Sequence, residues 1–83
     1  MVERIFNAMV ANMVANGYGI FWQNYSTVVD YGHVKHRAFV RFTKNDKTIE
    51  FSSQDTYSEE EMQEKIDKFY ERLERCKKMG YID

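Results

Sequence analysis

Lys35-His36-Arg37-Ala38-Phe39-Val40-Arg41-Phe42-Thr43, residues 35–43, decides the fold. Successive side chains of a β-strand point to opposite faces. Ala38, Val40 and Phe42 therefore share one face, and Arg37, Phe39 and Arg41 share the other. Only the first set is free of charge, so it is the set a core accepts. A slip of one residue would exchange the two sets and seal Phe39 inside. The stretch predicts a strand buried on one side, with a phenylalanine held between two arginines on the other.

Working outward, Lys44-Asn45-Asp46-Lys47 has the composition of a turn, and residues 48–52 alternate again. Ile49 and Phe51 point inward, Thr48, Glu50 and Ser52 outward, which completes a hairpin. Upstream, residues 18–29 are β-branched and aromatic and predict a first strand with room for a bend. Asp30-Tyr31-Gly32-His33 is its connection to the second.

Helices are predicted at both ends. In residues 2–16, Ile5, Met9 and Met13 recur every four positions, as do Phe6, Val10 and Val14. Ala8, Ala11 and Ala15 widen the stripe, which predicts burial on two sides. Asn16-Gly17 is a stop signal. The last helix follows a cap at Thr56 or Ser58, and Ser58-Glu59-Glu60-Glu61 has capping-box spacing. Met62, Ile66, Phe69, Leu73 and Cys76 form its apolar stripe, with Tyr70 beside it. Glu61–Lys65, Glu64–Lys68, Glu71–Arg75 and Glu74–Lys78 have i,i+4 spacing in the favourable order, and Gly80 ends the helix. The order α-β-β-β-α predicts an α+β domain: a three-stranded antiparallel meander with both helices on one face.

The 83 residues have room for one core, so the whole chain, 1–83, is read as one domain. Thirteen of them are aromatic, six Tyr, six Phe and one Trp, enough to fill a small core and leave some rings outside as contact residues. A single cysteine, Cys76, excludes an internal disulfide. No stretch approaches the roughly 18 apolar residues that span a bilayer. The start, Met1-Val2-Glu3-Arg4, lacks a secretion pattern, so the expected location is the cytoplasm, away from the membrane.

No residue set pairs a nucleophile with a base, and no glycine-rich loop is present to cradle a phosphate. The expectation is a protein without enzymatic activity or cofactor. Asp30, His33 and His36 supply zinc-type ligands at even spacing. An offset of three on a strand sends side chains to opposite faces, so they converge only if a loop carries them. Cys76 lies on an apolar stripe near a helix C-terminus, where the dipole opposes a thiolate. A buried, inert thiol is expected.

Net charge is −1, but it is unevenly spread. Lys35, Arg37, Arg41, Lys44 and Lys47 crowd residues 33–47 against Asp46 alone. Asp55, Glu59, Glu60, Glu61 and Glu64 crowd residues 55–64 without a base. Phe39 between Arg37 and Arg41, with Lys35 and Lys44 nearby, is the composition of an interface core. First-strand aromatics are candidates to join it. The sheet face has two candidate partners, another protein and a second copy of this chain. Glu59, Glu60 and Glu64 form a second patch of opposite sign, suited to electrostatic docking.

The layout α-β-β-β-α resembles that of double-stranded RNA-binding domains, and Gly32-His33-Val34-Lys35-His36-Arg37-Ala38-Phe39-Val40 is similar to their second-strand region. The resemblance implies a shared arrangement over most of the chain. Those domains grip phosphates with a basic cluster at the start of the second helix; here that position reads Ser58-Glu59-Glu60-Glu61-Met62-Gln63-Glu64. Carboxylates there oppose a phosphate backbone. The leading expectation is thus a protein-binding module. In size and charge it is similar in style to the small inhibitors made by phages and mobile elements, anti-CRISPR-type proteins among them. The alternative is a nucleic-acid-binding domain that stacks single-stranded bases on Arg37, Phe39 and Arg41.

Overall fold

The computed structural model describes residues 1–82. Its elements run α1 (Val2–Ala15), β1 (Gly19–Asp30), β2 (His33–Lys44), β3 (Lys47–Ser52) and α2 (Glu59–Lys78). The strands form one antiparallel sheet in the order β1-β2-β3. The α-β-β-β-α meander expected from the sequence is what the chain adopts.

Both hairpin turns use residues of positive φ, Tyr31 and Gly32 in the first, Asn45 and Asp46 in the second. Two-residue turns of that hand match the twist of the strands they join. The first turn is tighter than the sequence suggests, because strand pairing reaches Asp30 and His33 themselves. That lengthens β1 and β2 beyond the end of β3.

Both helices end in the same way. Gly17 and Gly80 take φ of +93° and +76°. The next amides, Tyr18 and Tyr81, reach back to the Met13 and Cys76 carbonyls at 3.1 and 2.9 Å. The glycine amides bond Val14 and Lys77 at 3.0 and 3.1 Å, which completes a Schellman closure at each end. At the start of α2, the Ser58 hydroxyl accepts from the Glu61 amide at 3.1 Å. The Glu61 carboxylate accepts from the Tyr57 amide, one residue before the position a capping box would use. Of the predicted helix pairs, Glu64–Lys68 forms at 3.8 Å, and Glu74 meets Lys77 in place of Lys78. Lys65 leaves Glu61 for the loop carbonyls of Ser53 and Asp55.

Aromatic rings tie the layers together. Phe6 of α1 stacks 6.0 Å from both Tyr25 of β1 and Phe51 of β3. Phe69 of α2 meets Phe42 of β2 at 6.0 Å and Phe51 at 5.7 Å. Ala38, Val40 and Phe42 are buried beneath them, so both helices cover this one face of the sheet. The buried stripe of α1 is Val2, Phe6, Met9, Val10 and Met13, narrower than its apolar pattern. Val14 and the alanines stay exposed, because nothing in a two-layer domain lies behind the helix.

Candidate functional site

The face of the sheet turned away from the helices carries Arg37, Phe39 and Arg41 of β2. Its aromatic content depends on one irregularity. Ile20 pairs with Phe42, but the next pair is Trp22 with Arg41, so Phe21 is an extra residue in β1. Such a bulge re-aims the side chains beside it. Without it, Trp22 would oppose Val40 and point toward the helices. With it, Trp22 stands on the outer face, its ring centroid 5.0 Å from that of Phe39. Phe21 reaches the same face, where the Arg41 guanidinium lies 5.7 Å from its ring. Trp22 is 53% exposed and Phe21 67%, while Phe39 is half-buried under Trp22. A hollow of about 130 Å³, bordered by Asn24, Arg37, Phe39, Ser52 and Gln54, opens beside this trio.

The cations of this face are already paired. Arg37 Nε donates to Asp55 Oδ1 at 2.6 Å, and Lys35 Nζ lies 3.8 Å from Asp55 Oδ2. Arg41 donates to Glu50 Oε1 from Nε at 2.9 Å, with Nη2 at 2.8 Å. The hydrogen bond from Arg37 and its charge hold the Asp55 carboxyl below its usual range, and the same bond raises the Arg37 guanidinium. Lys35, Arg37 and Arg41 set against Glu50 and Asp55 leave the face close to neutral.

The other predicted site residues lie elsewhere. Lys44 belongs to the inner set of β2. Its ammonium sits 4.8 Å from the Tyr18 ring centroid and donates to the Asn16 carbonyl at 3.1 Å, closing the end of α1. Glu59, Glu60 and Glu64 are exposed on the first turns of α2, across the sheet from Phe39. Glu59 also accepts from the Met1 amine, a hydrogen bond that lowers its carboxyl. The structure therefore separates the predicted residues into two sets on opposite sides and brings Phe21, Trp22, Glu50 and Asp55 to the sheet set.

The histidines diverge. Asp30 and His33 are a cross-strand pair and share the outer face. His36 points to the other side, where its Nδ1 lies 2.6 Å from the Tyr25 hydroxyl. Among the described residues no group of three or more His, Cys, Asp or Glu is arranged to hold a metal ion. Cys76 packs against the core but is half-exposed, less buried than its place on the stripe implies. A cleft of about 340 Å³ between β3 and α2, invisible in the linear sequence, is lined by Lys65, Lys68, Arg72 and Arg75. Two of these cations serve the fold: Lys65 binds the loop carbonyls, and Arg72 donates to the Glu50 carbonyl. No described helix is long and apolar enough to cross a membrane.

No known protein family, curated protein or solved structure matches this chain.

Proposed function

We propose that this chain is a protein-binding module, without chemistry of its own, that docks through the outer face of its sheet. The observation that carries the reading is the trio Phe21, Trp22 and Phe39, set in a rim of Arg37–Asp55 and Arg41–Glu50 pairs. Large aromatic rings surrounded by polar groups that already have partners are the anatomy of a protein interface. Rings give area with little side-chain entropy to lose, and paired rim charges need no rescue when water leaves. The hollow beside Phe39 is sized for a side chain from the partner.

Single-stranded nucleic acid is the weaker reading. A stacking surface for bases works with cations free to meet phosphates, and here Asp55 and Glu50 occupy the arginines. The acidic first turns of α2 add a surface that repels phosphate. A module of this form acts by occlusion, covering a surface that its partner uses for something else, as a small inhibitor or regulator does.

The test is capture of partner proteins from cells that express the chain, repeated with Trp22→Ala/Phe39→Ala and with Glu60→Lys/Glu64→Lys. The first variant loses the partner and keeps its far-ultraviolet circular dichroism, and the second retains it. Retention by the first, or specific binding of unpaired oligonucleotides at physiological salt, refutes the reading.

A further inference from the structure

The two edges of the sheet are treated differently. The β3 edge is closed by side chains. The Tyr81 hydroxyl donates to the outward Thr48 carbonyl at 3.2 Å, and Arg72 donates to the outward Glu50 carbonyl. Beyond the end of β3, Thr56 and His36 exchange amide bonds of 2.8 and 2.9 Å, and Lys65 covers the carbonyls of Ser53 and Asp55. These are the devices by which a protein blunts an edge.

β1 has none of them. Antiparallel ladders alternate, and the Ser53 amide on the Ala38 carbonyl fixes which β2 residues bond β3. Asn24, Ser26 and Val28 therefore bond β2, while the amides and carbonyls of Gln23, Tyr25, Thr27 and Val29 point away from the sheet. No backbone partner reaches those groups among the described residues. From Gly19 to Val29 the strand contains neither a charge nor a proline, and its one bulge lies at Phe21, clear of the free stretch. An exposed, neutral edge of this length is a pairing surface.

We propose that β1 pairs antiparallel with β1 of a second copy of this chain, so that two sheets become one six-stranded sheet. Charge and register argue for a second copy. A two-fold axis through Ser26 sets Gln23 opposite the partner's Val29 and Tyr25 opposite the partner's Thr27, which satisfies every outward amide and carbonyl of the free stretch. Because no charged residue lies between Gly19 and Val29, no like charges meet across the axis. The nearest charge, Asp30, falls opposite the partner's Trp22. The axis stands perpendicular to the sheet, so both aromatic faces end on one side of the dimer and remain open. The inference stands apart from the docking proposal, since it uses the edge and leaves the face unoccupied.

Sedimentation equilibrium of the full chain, from micromolar to millimolar, checks it. The expected mass rises from 10.0 kDa toward about 20 kDa, twice the chain mass. Thr27→Pro removes an outward amide that no intrachain ladder bond uses; it stays folded by circular dichroism and sediments as a monomer. Residue 26 faces itself across the axis in a non-hydrogen-bonded pair, where Cα atoms lie ~4.5 Å apart, within disulfide range. In a Cys76→Ser background, Ser26→Cys therefore cross-links into a covalent dimer on oxidation, whereas Asn24→Cys does not. Trp22→Ala/Phe39→Ala remains dimeric. A wild type that stays at the chain mass throughout overturns the proposal, and so does a Ser26→Cys variant that fails to cross-link. A dimer abolished by Trp22→Ala/Phe39→Ala but surviving Thr27→Pro would place the interface on the face and also overturn it.

Discussion

The two faces of β2 are built from alternate residues of one strand and meet opposite fates. Ala38, Val40 and Phe42 lie under two helices, each 3% exposed or less, in one core cluster with Phe6 of α1, Phe69 of α2 and Phe51 of β3. Arg37, Phe39 and Arg41 face outward, where Phe39 is half-buried against the Trp22 ring. The inner face is closed by bulk. The outer face is balanced by charge pairs and left open to solvent. A chain of this size that leaves Phe21 and Trp22 exposed beside Phe39 on one uncovered face forgoes core it could have used, and that asymmetry is the basis of the docking proposal.

The largest effect that tests this contrast belongs to the inner face. Phe42→Ala opens a cavity among Tyr18, Phe69 and their neighbours and costs about 3–5 kcal/mol, visible as a large fall in Tm. Phe39→Ala, three residues earlier and on the other face, costs less, about 1–2 kcal/mol, the ring pair with Trp22 plus its partial burial. Comparable losses from both would mean that the two faces are equally buried and would break the comparison.

The next effect is on binding. Trp22→Ala weakens partner affinity by roughly 30-fold or more, the loss of about 2 kcal/mol that marks an interface anchor, while Tm changes little. Titration calorimetry with the captured protein measures it, and an unchanged affinity removes Trp22 from the site.

Charge gives a smaller effect. Asp55→Asn leaves Tm nearly unchanged, since the pair is on the surface, but it frees Arg37 and Lys35. Affinity of the face for polyanions then rises at low salt and is lost as salt increases. Equal polyanion binding by wild type and variant would show that the pairing does not neutralise the face.

The smallest is a pH effect. The Asp55 carboxyl is held below its usual range by the Arg37 hydrogen bond. A depressed folded value means that its contribution is complete above the unfolded value of roughly 4 and is lost as pH falls through the folded one. The tether between β2 and the loop before α2 therefore loosens only in acid below that value. The Asp55 carboxyl carbon, followed by nuclear magnetic resonance, titrates below the free-peptide range; a midpoint at the ordinary value would contradict the pairing.

Much of this was legible in the sequence, for reasons that can be named. The alternation of residues 35–43 and the turn at 44–47 fix the second hairpin, and the register of that turn sets Glu50 opposite Arg41. The same count shows that Lys44 falls on the inner set, a consequence that grouping residues by charge alone overlooks. The stripe Met62, Ile66, Phe69 and Leu73 identifies the last helix and the side it buries. What alternation does not encode is the bulge. A run of apolar residues from Ile20 to Trp22 gives no sign of where one extra residue sits, and that residue decides which way Trp22 points. Asp55 was equally hidden, because a loop residue meets Arg37 only after α2 has drawn the loop across the end of the sheet. A meander makes β1 an edge from the start; what the sequence does not show is that Tyr81, Arg72 and Lys65 close the opposite edge and leave β1 bare.

Trp22 is the single tryptophan of the chain, so its fluorescence reports on the outer face alone. Acrylamide quenching of that fluorescence, in the free protein and in complex with the captured partner, tests the docking claim most directly. The account predicts ready quenching in the free protein and marked protection in the complex. Equal quenching in both states would mean that the partner binds elsewhere and that the outer face is not the docking surface.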